Sequence, residues 1–162
     1  MSCERVLGHA LRSGEVVEGC WHVHLDPLPR LVGAARTFVA SHAPPLPQET
    51  RDALLLLTSE LVTNAVLHAR TQLEVGMVVA QQSVLVAVHD LDLSRPEQQP
   101  YVTREGGWGL GLVATLAEAS AMESHADGGK TAWFRLNRGS LPQVGDAVAA
   151  RAESWVDSLE VC

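Results

Sequence analysis

Positive charge is scarce in this chain. Lys and Arg number 12 against 19 Asp and Glu, a net charge of -7. Such a surface repels phosphate backbones and acidic lipid headgroups, which argues against nucleic acid and membrane as partners. Long apolar runs are missing too. None reaches the roughly 18 residues that a membrane-spanning helix needs. Met1 to His9 lacks the apolar stretch of a signal peptide, so the expectation is a cytoplasmic protein. Cysteine is rare. Cys3, Cys20 and Cys162 lie too far apart to form a disulfide framework. What remains is 46% apolar and 19% charged, the balance of a chain that buries a core. A length of 162 residues suits one domain.

The periodicities alternate between strand and helix. Gly19 to Leu25 reads as a strand. Residues 27 to 42 read as a helix, with Asp26 as N-cap and Pro27 in its first position. Ala43-Pro44-Pro45-Leu46-Pro47 breaks it. A long helix follows from about Gln48 to Ala69. Two strands, about 72–80 and 83–90, meet at Gln81-Gln82. Leu91 to Glu105 is polar, holds Pro96 and Pro100, and reads as a mobile lid. An apolar helix from Leu110 ends near Ser120. Two more strands flank Asp127-Gly128-Gly129. The expected domains are a flexible N-terminus over 1–15, a central domain over 16–138 and an amphipathic C-terminal helix over 139–162. That last helix packs on its own domain, on a second copy or on a partner, so a homodimer is one expectation.

Three segments carry chemistry. Glu60 and Asn64 sit one turn apart in an otherwise apolar helix. Asn disfavours helix interiors, and a half-buried Glu is costly unless something engages it. By themselves the two also fit a solvated polar stripe. Glu105-Gly106-Gly107-Trp108-Gly109-Leu110 is a glycine-rich loop running into a helix, whose free N–H groups suit phosphate. It follows neither the Walker nor the dinucleotide pattern, and alone it is only a turn. Asp90 ends a β-branched strand, where a carboxylate can accept from the exocyclic amine of a base or simply start a turn. Cys20, His22 and His24 alternate and so share a strand face. Cys and His are metal ligands, but this spacing is unusual for zinc and no fourth ligand is evident. The face reads as an edge strand or a dimer contact.

In this order the segments resemble the GHKL ATPase family, and most of all its bacterial branch of anti-sigma-factor serine/threonine kinases. Glu60-Leu61-Val62-Thr63-Asn64-Ala65 with His68-Ala69 is similar to that branch's N box. Gly107-Trp108-Gly109-Leu110 is similar to its second glycine box, and Gly129-Lys130-Thr131 with Trp133 to its closing strand. The likeness spans about residues 20 to 137. It implies a two-layer α/β sandwich of the Bergerat type, with a mixed, mostly antiparallel sheet and helices on one face. It also implies ATP and magnesium as cofactors. Glu60 would be the general base and Asn64 the magnesium ligand. Asp90 would read the adenine amine, and Thr131 would help position Asp90 and the base. Gly107 and Gly109 would let the lid and the following helix close over the phosphates, and Leu110 would be among the nucleotide-binding residues. The implied partners are a sigma factor and an anti-anti-sigma antagonist protein.

The chain departs from that pattern at two places. Asp92 stands where the first glycine box has Gly, adding negative charge near triphosphate. Trp108 stands where the branch often has Arg, which removes a charge-assisted phosphate contact. Arg95 or Arg104 could substitute. The departures keep a second expectation open: a catalytically weak or inactive, nucleotide-gated protein-binding module.

Overall fold

Side chains alternate across a strand, so each strand must offer one face to the helices and one face away from them. The computed structural model describes residues 11–68, 71–90, 108–125 and 129–139. In chain order these form β1 (Val17–Leu25), a 3-10 turn (Pro29–Leu31), α1 (Val32–His42) and α2 (Gln48–His68). Then come β2 (Leu73–Ala80), β3 (Ser83–Asp90), α3 (Trp108–Leu116), β4 (Ala119–Ser124) and β5 (Lys130–Asn137). The five strands lie in the order β1-β2-β3-β5-β4. Among the described residues all four pairings are antiparallel, in keeping with the mostly antiparallel sheet expected. The β2–β3 and β4–β5 pairs are hairpins, whose short loops permit no other direction.

Helices cover one face. Val75 and Met77 of β2, Val84, Val86 and Val88 of β3, and Phe134 and Leu136 of β5 pack against Leu54, Leu57, Leu61 and Val62 of α2. Each fully buried Leu there contributes about 1.5–3 kcal/mol. The opposite face holds a smaller apolar patch of Val78, Leu85, Ala87 and Trp133. With both faces of β2 buried, its sequence runs apolar almost without alternation. The expected α/β architecture is thus observed, with the helices among the described residues on a single side. Among the described residues no helix is long and apolar enough to cross a membrane.

Several boundaries differ from the sequence expectation for local reasons. Pro27 and Pro29 disfavour helix in the residues before them. Leu28 is accordingly extended, at φ -115 and ψ 130, and α1 starts only at Val32. No side chain caps it, so Asp26 is not its N-cap. Helix α3 stops at Leu116 rather than near Ser120. The Glu118 amide donates to the Arg135 carbonyl at 2.9 Å, and Ala119 already pairs with Arg135. The sheet has captured the backbone that a longer helix would use. Gly129 has φ 84 in the β4–β5 hairpin, a conformation costly for any residue with a Cβ. Gly19 leaves the space that the Trp21 indole occupies.

Residues 11–15, expected within a flexible terminus, are held down. Arg12 donates to Gln82 Oε1 at 3.0 Å and pairs with Glu118, and Glu15 Oε1 accepts from the Gln82 amide at 3.0 Å. Cys20 takes part in a disulfide, so the reading from cysteine spacing missed one bond. The rest of the expected N-terminus (1–10), the lid and nearly all of the C-terminal helix lie outside the described residues.

Candidate functional site

Helix α2 presents Leu54, Leu57, Leu61, Val62 and Ala65 to the core, the repeat of a buried helical stripe. Leu56 and Leu67 are exposed on its far side. Glu60 and Asn64 fall at the border of the stripe, both half-buried. Four residues apart, they lie one above the other on one face. Neither makes a hydrogen bond or ion pair with another described residue. The polar neighbours on the same helix behave otherwise: Thr58 donates to the Leu54 carbonyl at 2.7 Å and Ser59 to the Leu55 carbonyl at 2.8 Å. Thr58 and Ser59 thus satisfy their hydroxyls within the helix, whereas Glu60 and Asn64 have no partner among the described residues.

Asp90 ends β3 on the helix-facing side, opposite Leu73 of β2 and Lys130 of β5. It is 2% exposed, and Lys130 Nζ lies 3.7 Å from its Oδ2. A carboxylate so far from water needs a cation or donors to remain charged. Lys130 is the residue that sequence reasoning missed. No local pattern marks it, because only the β3–β5 register sets it opposite the strand-end aspartate and on the same face.

Thr131 opposes His89, not Asp90, and so lies on the sheet face away from the helices. Its Oγ1 is 3.0 Å from His89 Nδ1 and 2.7 Å from His125 Nε2. The threonine thereby joins two imidazoles on the face opposite to that of Asp90. Burial pushes the His89 imidazole below its ordinary value. His125 adds to that shift, while Glu74 and Asp90 oppose it.

Helix α3 packs against α2 and begins at Trp108. Gly109 and Leu110 fall in its first turn, where backbone N–H groups lack helical acceptors. Gly107 lies outside the described residues, as do Asp92, Arg95 and Arg104. The structure thus brings the α2 pair, the β3 aspartate and the start of α3 onto one side of the sheet. It places Thr131 on the other. A helical carboxylate beside a carboxamide can accept a proton and offer an oxygen to a hard cation. A helix start suits an anion.

The sequence pattern of one protein family, the histidine kinase-like ATPase domain, matches residues 25–136. That span runs from the end of β1 to the end of β5 and includes Glu60, Asn64, Asp90 and the start of α3. No curated protein matches the chain.

Proposed function

Because the chain belongs to the histidine kinase-like ATPase family, we propose that it is an ATP-binding regulator that phosphorylates a Ser or Thr of an antagonist protein and takes a sigma factor as its second partner. The observation that carries this reading is the pair Glu60 and Asn64: half-buried, one turn apart and engaged by no other described residue. The residues present fit a magnesium nucleotide. Asn64 offers its side-chain oxygen to the cation, Asp90 offers an acceptor to the adenine amine, and the first turn of α3 offers N–H donors to phosphate. When bound, ATP supplies the phosphoryl group and magnesium offsets its charge. Glu60 takes the proton from the attacking partner hydroxyl. Helix α2, packed along the sheet, holds that carboxylate in place.

Titration with ATP, with and without magnesium, tests the reading on the intact chain and on Asn64→Ala. The variant is expected to weaken magnesium-dependent ATP binding and to keep its melting temperature. Removing Asn from a helix raises helix propensity by a few tenths of a kcal/mol. A lowered melting temperature with unchanged ATP affinity would assign Asn64 to the fold instead.

A specific observation favours a second reading, in which nucleotide only gates a protein-binding surface. Lys130 already pairs with Asp90, and both side chains are largely buried. Asp92 and Trp108 point the same way. Saturable ATP binding without transfer to any Ser- or Thr-bearing partner selects this second reading.

A further inference from the structure

The outer face of the sheet carries a second constellation, separate from the residues of the nucleotide reading. His22 and His24 alternate on β1, so both rings stand on that face. β1 is an edge strand of the sheet. The antiparallel register then sets Glu74 of β2 directly opposite His24. The two rings meet edge to face with centroids 5.9 Å apart. The ligating atoms of His22, His24 and Glu74 all lie within 4.8 Å of one another.

We propose that His22, His24 and Glu74 form a binding site for a divalent first-row transition metal, with zinc as its occupant. Two imidazoles and a carboxylate are a zinc donor set, and borderline nitrogen donors select against magnesium and calcium. Around a tetrahedral ion with bonds of ~2.0–2.1 Å, neighbouring donor atoms stand ~3.3–3.4 Å apart. The three donors here need to converge by little more than an ångström. The two exposed imidazoles can do so by ring rotation, because solvent surrounds them.

Glu74 is the less mobile ligand. It is 6% exposed on a sheet face, a position where a carboxylate gains from every cation or donor brought near it. An ion there adds to what already engages it and ties the edge strand to its neighbour. The fourth position opens to solvent on the side of the exposed histidines and takes water. With both histidines at the surface of an edge strand, the site is a clip between strands and not a reaction centre. Its helix-averted face separates it from Asp90, so it stands or falls independently of the ATP reading.

The test uses the full chain without a histidine tag, stripped of metal by chelator. Cobalt is titrated by visible absorption and zinc by calorimetry, into the intact protein and into His22→Ala, His24→Ala and Glu74→Gln. His42→Gln, on α1 at the opposite face, serves as control. One ion per chain is expected, with the intense absorption of four-coordinate cobalt. Each ligand variant should weaken binding by at least about 100-fold, the upper end of what even an outer-shell change costs. The control should match the intact protein. Zinc should raise the melting temperature of the intact protein and leave that of His24→Ala unchanged. The histidine variants alter exposed side chains and keep the fold, so they decide the question even if Glu74→Gln unfolds. No saturable binding by the intact protein at micromolar metal, or undiminished binding by His24→Ala, overturns the proposal.

Discussion

The two faces of the sheet do different work with the same strands. The helix-facing side is apolar almost throughout, from Val75 and Met77 to Phe134 and Leu136, and polar only at the strand ends where Asp90 stands. The other side mixes a four-residue apolar patch with ion pairs and a row of imidazoles. There Glu118 receives both Arg12 and Arg135, and Trp133 Nε1 donates to Glu123 Oε1 at 3.0 Å. Stability is thus concentrated on one face, while polar chemistry appears on the second face and at the rim of the first. A carboxylate placed mid-sheet among the apolar side chains under the helices would lack the cation that Lys130 brings to Asp90 at the strand end, and its burial would go uncompensated.

The sharpest break of that contrast is chemical. Glu60→Ala should keep ATP binding and lose about 100- to 10,000-fold in phosphotransfer rate, since a general base acts in the transition state and not on bound nucleotide. Labelled-ATP transfer to a Ser- or Thr-bearing partner measures it. Equal rates for variant and intact protein remove Glu60 from the chemistry.

Next in size is a paired test of the two faces. Phe134 and Trp133 are neighbours in sequence on opposite sides of β5. Phe134→Ala should cost about 3–5 kcal/mol, because it opens a cavity in the helix-covered core. Trp133→Phe keeps most of its area and gives up the bond to Glu123, so about 1 kcal/mol is expected. Urea unfolding of both variants decides. Equal losses would show that the outer patch is as tightly held as the core.

A third measurement sharpens the role of the rim. Asp90→Ala should erase any preference for ATP over GTP, at a cost of about 1.5–3 kcal/mol in ATP binding. If the intact protein already binds both nucleotides equally, Asp90 does not read the base, and its role is structural, with Lys130 as a partner.

The smallest effect expected is a pH dependence on the outer face. Burial holds His89 neutral in the folded state, so its folded pKa lies below the ordinary 6.5. Below pH 6.5 the unfolded chain takes up a proton that the folded chain refuses. The His89 contribution is therefore complete above that value and is lost as pH falls toward the folded-state pKa. Thermal melts across this window should show a shallower decline for His89→Asn. An identical decline would place the acid sensitivity elsewhere.

The local pattern was readable where local physics decides. The β-branched runs, the 3.6-residue stripe of α2 and the carboxylate–carboxamide pair within it depend on periodicity, and periodicity is written in the chain. The start of α1 was misread because two prolines outweighed a plausible cap, and the end of α3 because the sheet competed for the same amides. Neither is visible in a window of one element.

Which side chains share a face across strands is a matter of register, and register is tertiary. The order of residues puts Asp90 next to His89 and Lys130 next to Thr131. Only the β3–β5 pairing decides that Asp90 meets Lys130 under the helices while His89 meets Thr131 on the other face. In the same way His22 and His24 announce themselves by alternation, but Glu74 stands fifty residues further on, and only the β1–β2 ladder brings it to them. The sequence by itself determined the elements and the residue types at their ends, because backbone preference and burial act over a few residues. The tertiary structure alone decided the partners, because hydrogen-bonded pairing between distant strands sets every cross-strand contact at once.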